Sequence, residues 1–177
     1  IGVMNEGNVV ADFDSDLIGN GSHADLKAVA LSSGRQVQGI DTRVTNYGCN
    51  SIGNILQHGV ILEKATLTFN GIGHIIKGAK GADAQQESRV LMLSDQARSD
   101  ANPILLIDEN DVTAGHAASI GQVDPEDMYY LMSRGLDKAT AERLVVRGFL
   151  GSVIVEIPVK EVRDEMIATI EEKLSKR

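Results

Sequence analysis

The sequence has few cysteines, few aromatic residues and no long apolar run. It contains one cysteine, Cys49, together with three tyrosines, three phenylalanines and no tryptophan. A single thiol excludes an intramolecular disulfide framework and is typical of a reducing compartment. No apolar stretch is long enough to span a bilayer, and the first residues lack the basic-then-apolar order of a signal peptide. We therefore expect a cytoplasmic protein whose core is not aromatic.

An excess of positive charge is also missing. The chain has 17 lysines and arginines against 25 acidic residues, which gives a net charge of −8. Nucleic-acid backbones and anionic membrane surfaces attract cationic proteins, so we expect neither as a partner. The chain starts with Ile1 and enters a strand-like pattern within a few residues. We interpret it as the C-terminal fragment of a longer protein.

Short strand-like runs separated by turn residues make up the first two thirds of the chain. The turn signals are rich in Gly, Asn and Ser, and we include the segment 70–73 among them. This pattern predicts a mainly β fold with a core of Val, Ile, Leu and Ala, as a sandwich, a barrel or a β-solenoid. The predicted strands are Asn8–Phe13, Leu26–Leu31, Gln36–Val44, Val60–Phe69, Arg89–Leu93 and Ile104–Ile107.

Helical patterns replace the strand patterns after Gly121. Asp124 and Pro125 are typical of a helix start, and Gly135 favours its end. Asp137 caps a second predicted helix that reaches towards Val155. A third follows Pro158, with an apolar stripe on one face. We therefore predict a β body over residues 1–122 and a small α-helical domain over residues 123–177. The stripe consists of Val159, Val162, Met166, Ile170 and Leu174.

The sequence matches no common catalytic or ion-binding motif. Asp12, Asp14 and Asp16 alternate as in a calcium loop, but Leu17 stands where that loop needs Gly. The glycines around Lys77 and Lys80 do not form a phosphate-binding loop. Ser51 misses the spacing of a nucleophile elbow by one residue. We expect no catalytic residues, and these segments are interpreted as strand edges and turns.

The possible metal ligands are scattered along the chain. None of them is paired at a spacing typical of metal sites, so an iron site would need ligands from a second polypeptide. His116 differs from the others because it lies between small residues, which would leave its ring exposed at a strand edge. Cys49 is interpreted as a small apolar residue. The candidates are Cys49, His23, His58, His74 and His116.

Two adjoining segments carry a resemblance to a known family. Residues 111–121, with His116 at their centre, and residues 127–135 resemble the C-terminal signature of the SufB/SufD family of iron–sulfur cluster assembly scaffolds. Phe69-Asn70-Gly71, Gln85-Gln86 and Leu91–Asp95 continue the similarity, as does the second helix from Ala141 to Phe149. Segment 94–100 lacks the cysteine of SufB proteins, so the chain is identified as a member of the SufD branch.

The resemblance implies a right-handed parallel β-helix followed by a small helical domain. It implies a non-enzymatic scaffold that pairs with a SufB-type chain and docks a SufC-type ABC ATPase through its C-terminal helices. His116 would face the SufB-type partner and help to hold a transient iron–sulfur cluster at the interface. No cofactor would be bound stably by this chain alone. Ala114 stands where the SufD motif often has a cysteine, which argues against a second ligand at this site.

Two other interpretations remain at this point. A β-helix could belong to a stand-alone enzyme acting on polysaccharide, which would need a groove with acidic residues and aromatic platforms. The chain offers three tyrosines for such a groove, and two of them, Tyr129 and Tyr130, fall in a predicted helix. In isolation, the chain could also form a homodimer through the surface that pairs with the SufB-type partner.

Overall fold

The chain forms nine parallel strands followed by three helices, in a computed structural model that describes residues 2, 3 and 6–175. None of the helices in those residues is long and apolar enough to cross a membrane. The strands are β1 (Gly2–Val3), β2 (Val9–Leu17), β3 (His23–Ser32), β4 (Val37–Asn46), β5 (Ile52–Ile61), β6 (Thr66–Ile75), β7 (Asp83–Met92), β8 (Arg98–Ile107) and β9 (Thr113–Gln122); the helices are α1 (Pro125–Ser133), α2 (Lys138–Ile154) and α3 (Lys160–Ser175).

The strands build a β-solenoid of about 4 turns. Odd-numbered strands form one sheet in the order β1-β3-β5-β7-β9, and even-numbered strands form the other in the order β2-β4-β6-β8. Each strand pairs in parallel with the strand two places later, one rung further along the solenoid. In such a stack, residues in register lie on the same side of the sheet. The parallel β-helix followed by helices is therefore confirmed.

Several predicted strand boundaries were wrong. The predicted strand Val60–Phe69 runs from the end of β5 through a turn into β6, because the turn at 62–65 contains no Gly, Pro or Asn that would have indicated it. The predicted turn at 70–73 lies inside β6. There Gly71 and Gly73 face the interior, where an added Cβ would contact other side chains. Segment 113–122, which is absent from the predicted strands, is the complete strand β9.

The interior of the solenoid is apolar but contains a row of buried polar side chains. Phe69 lies in one core cluster among Ala, Ile and Leu residues, so an aromatic ring does take part in the core. Nearby, Ser88 Oγ donates to Gln57 Oε1 (2.7 Å), and Gln57 Nε2 donates to Thr42 Oγ1 (3.0 Å). These bonds satisfy groups that would cost free energy if they were buried alone. The sequence patterns did not predict this polar row.

Helices α2 and α3 cover the outer face of the odd-numbered sheet. One core cluster combines Leu31 and Val60 of the strands with Leu150 of α2 and Ile170 of α3. Asp124 and Asp137 accept the first helical amides, as their positions predicted. The boundary between a 1–122 and a 123–177 domain stays a prediction, because the two segments share this core.

The apolar stripe of α3 is only partly buried. Met166, Ile170 and Leu174 pack against the shared core, whereas Val159 and Val162 are exposed. Lys173, near the C-terminal end of α3, is only 5% exposed. Its Nζ donates to the Leu31 carbonyl (2.7 Å) and to Gln36 Oε1 (3.1 Å). The ammonium thereby fastens α3 to the solenoid.

The shared core predicts unequal effects of two leucines in α2. Leu150→Ala removes a fully buried side chain and should lower the free energy of unfolding by about 2–5 kcal/mol. Leu144→Ala, on the exposed face of the same helix, should change it by less than about 0.5 kcal/mol. Urea denaturation of both variants measures these values. Equal losses would contradict the packing of α2 on the sheet.

The connection before β9 is held by the Glu109 carboxylate. Glu109 accepts from the backbone N–H of Asn110 (2.8 Å) and of Gly78 (3.1 Å), and Lys77 Nζ lies 3.4 Å away. The two amides, with Lys77 adding a smaller effect, lower the pKa of Glu109 from 4.5 to about 2. These bonds join the turn before β9 to the turn of the preceding rung.

The lowered pKa of Glu109 predicts a pH-dependent stabilisation. A depressed carboxyl pKa stabilises the fold above the unfolded value, and this stabilisation disappears as the pH falls from about 4.5 to about 2. Glu109→Gln should therefore lower the Tm at pH 7, with a difference from wild type that shrinks across that window. Asp111→Asn, in the same connection, should not reproduce this pattern. A pH-independent difference for Glu109→Gln would contradict the assignment.

Candidate functional site

The C-terminal end of the solenoid is an open rung. Strand β8 pairs with β6, and β9 pairs with β7, but their other edges have no partner strand among residues 2, 3 and 6–175. Inward-facing residues of β8 and β9 are therefore less covered than their equivalents one rung earlier. Ala118 and Ile120 are exposed, whereas their register partners Ser88 and Val90 are buried.

His116 lies in the middle of this open rung. It pairs in register with Gln86 of β7, whose side chain is buried inside the solenoid, so His116 is also on the inward side. The residue is nevertheless exposed, because no further rung covers it. Its sequence neighbours Gly115 and Ala117 add no bulk around the ring. The structure thus places His116 at an exposed strand edge, on the inward side of the open rung.

The other histidines are engaged elsewhere. His23 Nε2 lies 3.1 Å from Asp25 Oδ1 on the outer face of β3. His74 Nε2 lies 2.9 Å from Asp108 Oδ2, and its Nδ1 lies 3.4 Å from Arg43 Nη2. Because the His74 Nε2–H is the group that can donate to the carboxylate, its Nδ1 is then the acceptor for Arg43. These pairs hold their imidazoles on the surface and away from His116.

His58 belongs to the contact between the solenoid and α2. Its ring stacks on Phe149 with centroids 4.9 Å apart, and its Nδ1 lies 3.3 Å from the Phe149 carbonyl oxygen. Burial lowers the pKa of His58, which favours the neutral ring. A neutral imidazole that donates from Nδ1 satisfies that carbonyl. His58 is therefore a packing residue.

Cys49 and the acidic segment of β2 do not approach His116. The Cys49 thiol, in the turn before β5, donates to the Gly78 carbonyl (3.4 Å) in the turn before β7. Asp12, Asp14 and Asp16 are exposed on β2, in the first part of the other sheet. The residues that the structure describes contain no group of three or more His, Cys, Asp or Glu side chains able to hold a metal ion.

Gln86 is a second feature of the open end, which sequence reasoning missed. Its Nε2 donates to the Ile104 carbonyl (2.7 Å), which joins β7 to β8 of the opposite sheet. A Cβ on Gly71 would lie 2.9 Å from Gln86 Oε1, and one on Gly73 would lie 2.6 Å from Nε2. The two glycines of β6 thus leave the space that the amide occupies. Glycines on the strand that faces a buried glutamine were the sequence signal that could have identified Gln86.

An apolar surface is exposed on the helical segment. None of the residues of α1 is buried, and Tyr129 and Tyr130 are 74% and 56% exposed. Met132 and Leu144 add further exposed apolar area. The Arg134 guanidinium lies 5.1 Å from the Tyr130 ring centroid and donates to its hydroxyl (3.1 Å). Exposed aromatic and methionine side chains of this kind are typical of protein interfaces.

Comparison with known proteins gives a consistent result. Residues 1–149 match the family model described as the SUF system FeS cluster assembly, SufBD core domain. The chain is 51% identical to the iron–sulfur cluster assembly protein SufD of Bacillus subtilis, over 98% of this chain and 40% of that protein. It is 46% identical to a SufBD family protein of Mycobacterium tuberculosis, over 54% of this chain and 24% of that protein.

The matched region is part of the longer relatives, since the chain spans about two fifths of the length of the Bacillus subtilis protein. The family model nevertheless covers most of this chain, including all of β9 and most of α2. The parallel solenoid and the helical segment both fall within the similarity to the SufD protein. The chain therefore belongs to the SufB/SufD family, as a SufD-type member.

Proposed function

We propose that this chain is a non-catalytic scaffold subunit in iron–sulfur cluster assembly, pairing with a SufB-type chain through the open rung of its solenoid. The observation that carries the proposal is the exposed His116 on the inward side of a strand whose outer edge is unpaired. Unpaired strand edges readily accept strands from another chain. A partner seated there would enclose His116 in a shared site.

The chemistry of His116 suits a shared iron site. A neutral imidazole is a suitable ligand for iron, and its affinity depends on what the second nitrogen contacts. The iron and the nascent cluster are substrates of the assembly, held transiently rather than as a resident cofactor of this chain. Because Ala114 supplies no ligand, the partner must supply the thiolates.

The apolar surface on α1 supports docking of a SufC-type ABC ATPase. Tyr129 and Tyr130 are large aromatic side chains left exposed on a helix that buries none of its residues. The same open rung that accepts a SufB-type chain could pair with a second copy of this chain in isolation, as a homodimer. A polysaccharide-active enzyme receives no support, because Tyr129 and Tyr130 lie in α1 rather than along the solenoid.

A shared iron site predicts a specific effect of removing the His116 ring. His116→Ala in the complex with SufB-type and SufC-type partners should lower iron retained after anaerobic reconstitution by at least about tenfold, because the imidazole ligand is lost. His23→Ala, which removes another exposed histidine from the same sheet, should retain wild-type iron. Both complexes should form equally well by pull-down. Unchanged iron in the His116→Ala complex would contradict the site.

The proposed ATPase surface predicts a specific effect of removing the Tyr129 ring. Tyr129→Ala should weaken binding of the SufC-type ATPase by about 30-fold in Kd, as expected for an interface residue worth about 2 kcal/mol. Tyr47→Ala, which removes an exposed tyrosine from a solenoid turn, should leave the Kd unchanged. Calorimetric titration measures both values. Equal affinities for the two variants would place the ATPase elsewhere.

Tyr129→Ala tests the ATPase surface more specifically than deletion of residues 124–177 does. Deletion would also expose Val29, Leu31, Val60 and Leu62, which α2 and α3 cover. Loss of binding after deletion could then arise from a damaged solenoid. Tyr129→Ala leaves that core intact, because α1 contributes no buried residue.

A further inference from the structure

Gln86 combines three features at the open rung. It is 5% exposed, it lies inside the solenoid, and its Oε1 is a buried acceptor without a hydrogen-bond partner. A buried acceptor without a partner destabilises the fold, because it loses its hydrogen bonds to water. Methionine has nearly the same size and would avoid this cost. The fold therefore carries a polar group where packing alone does not require one.

The register places Gln86 next to His116 on the neighbouring strand. Gln86 and His116 are Cα partners in the β7–β9 ladder, with both side chains on the inward side. Neighbouring strands lie about 4.8 Å apart, which is within reach of a glutamine amide and an imidazole. The Nε2 bond to the Ile104 carbonyl fixes which end of the amide is the donor. Oε1 is left as an acceptor, and a neutral imidazole has one N–H to donate.

We propose that Gln86 is a positioning residue for His116: once a partner rung closes the solenoid, its Oε1 accepts the imidazole N–H and presents the other ring nitrogen to iron. This inference rests on the proposed function of His116. A fixed tautomer and ring orientation raise the affinity of a histidine ligand, and loss of such a partner typically costs 10–100-fold. Gly71 and Gly73 keep the space in which the amide can be held.

Two variants separate this role from the structural bridge to β8. Gln86→Met removes both the acceptor and the donor, whereas Gln86→Glu keeps an acceptor oxygen. In the assembled complex, Gln86→Met should lower iron retention by 10–100-fold, and Gln86→Glu should stay within about threefold of wild type. Gln85→Met is the matched control, because Gln85 is exposed on the outer face of the same strand beside Gly115. It should retain wild-type iron.

Two further readouts do not depend on iron loading. Nitrogen-15 NMR of histidine-labelled chain in the complex should show one His116 tautomer in wild type and a mixture in Gln86→Met. Thermal unfolding and pull-down show that each variant folds and assembles. Wild-type tautomer and iron in Gln86→Met would overturn the inference, as would equal iron losses in Gln86→Met and Gln86→Glu, since those assign the residue to bridging alone.

His116→Ala, measured in the same experiments, distinguishes failure of the positioning role of Gln86 from failure of the shared iron site. If His116→Ala loses iron while Gln86→Met behaves as wild type, the shared site stands and Gln86 is not its positioning residue. If His116→Ala retains iron, the proposed function fails. In that case the tautomer of His116 in Gln86→Met still decides whether Gln86 orients the ring.

Discussion

The structure depends on the in-register pairing of parallel strands, and this pairing stops at the last rung of the solenoid. Every strand from β3 to β7 has a hydrogen-bonded neighbour on both edges, so its inward side chains are shielded from solvent. The final rung, β8 and β9, has the same backbone groups, and its alternate side chains also point inward, but no strand of the described chain pairs with its outer edge. Unpaired edges of this kind are usually protected by charge, bulges or a covering element. Here the edge strand β9 carries Ala114, Ala117 and Ala118 around His116, which leaves it flat and accessible.

The helices cannot be considered apart from that ladder. Leu150 and Ile170 complete a core whose other half is Leu31 and Val60 of the odd-numbered sheet, and Lys173 bonds directly to the Leu31 carbonyl. Force applied to α2 or α3 would therefore act on the strands. Helix α1 contributes no buried residue, yet it follows β9 after only a short connection. The apolar surface that we assign to an ATPase is thus adjacent in sequence to the strand that we assign to the SufB-type partner.

The sequence patterns predicted the elements better than their boundaries or their contacts. Asp124 and Asp137 act within a few residues of their own position, so the helix starts they predict are correct. Gly71 and Gly73 indicate a turn locally, but their role is set by Gln86, which lies on the facing strand and is distant in sequence. The buried position of Lys173 likewise depends on a strand more than one hundred residues away. The exposure of His116 was predictable from its small neighbours, whereas its inward direction required the register with Gln86.

Some polar groups inside the solenoid satisfy one another, whereas others, among them Asn46 Nδ2 and Gln86 Oε1, are buried without a hydrogen-bond partner. Ser88, Gln57 and Thr42 satisfy one another, so their burial is largely compensated. Gln86 satisfies only its donor, and its acceptor is left one rung below the exposed imidazole. Asn46 lies in β4, in the interior of the stack, whereas Gln86 lies on the strand directly before the open end. His116 is the register partner of Gln86 on the last rung, so the imidazole is the polar side chain in register with this acceptor at the open end.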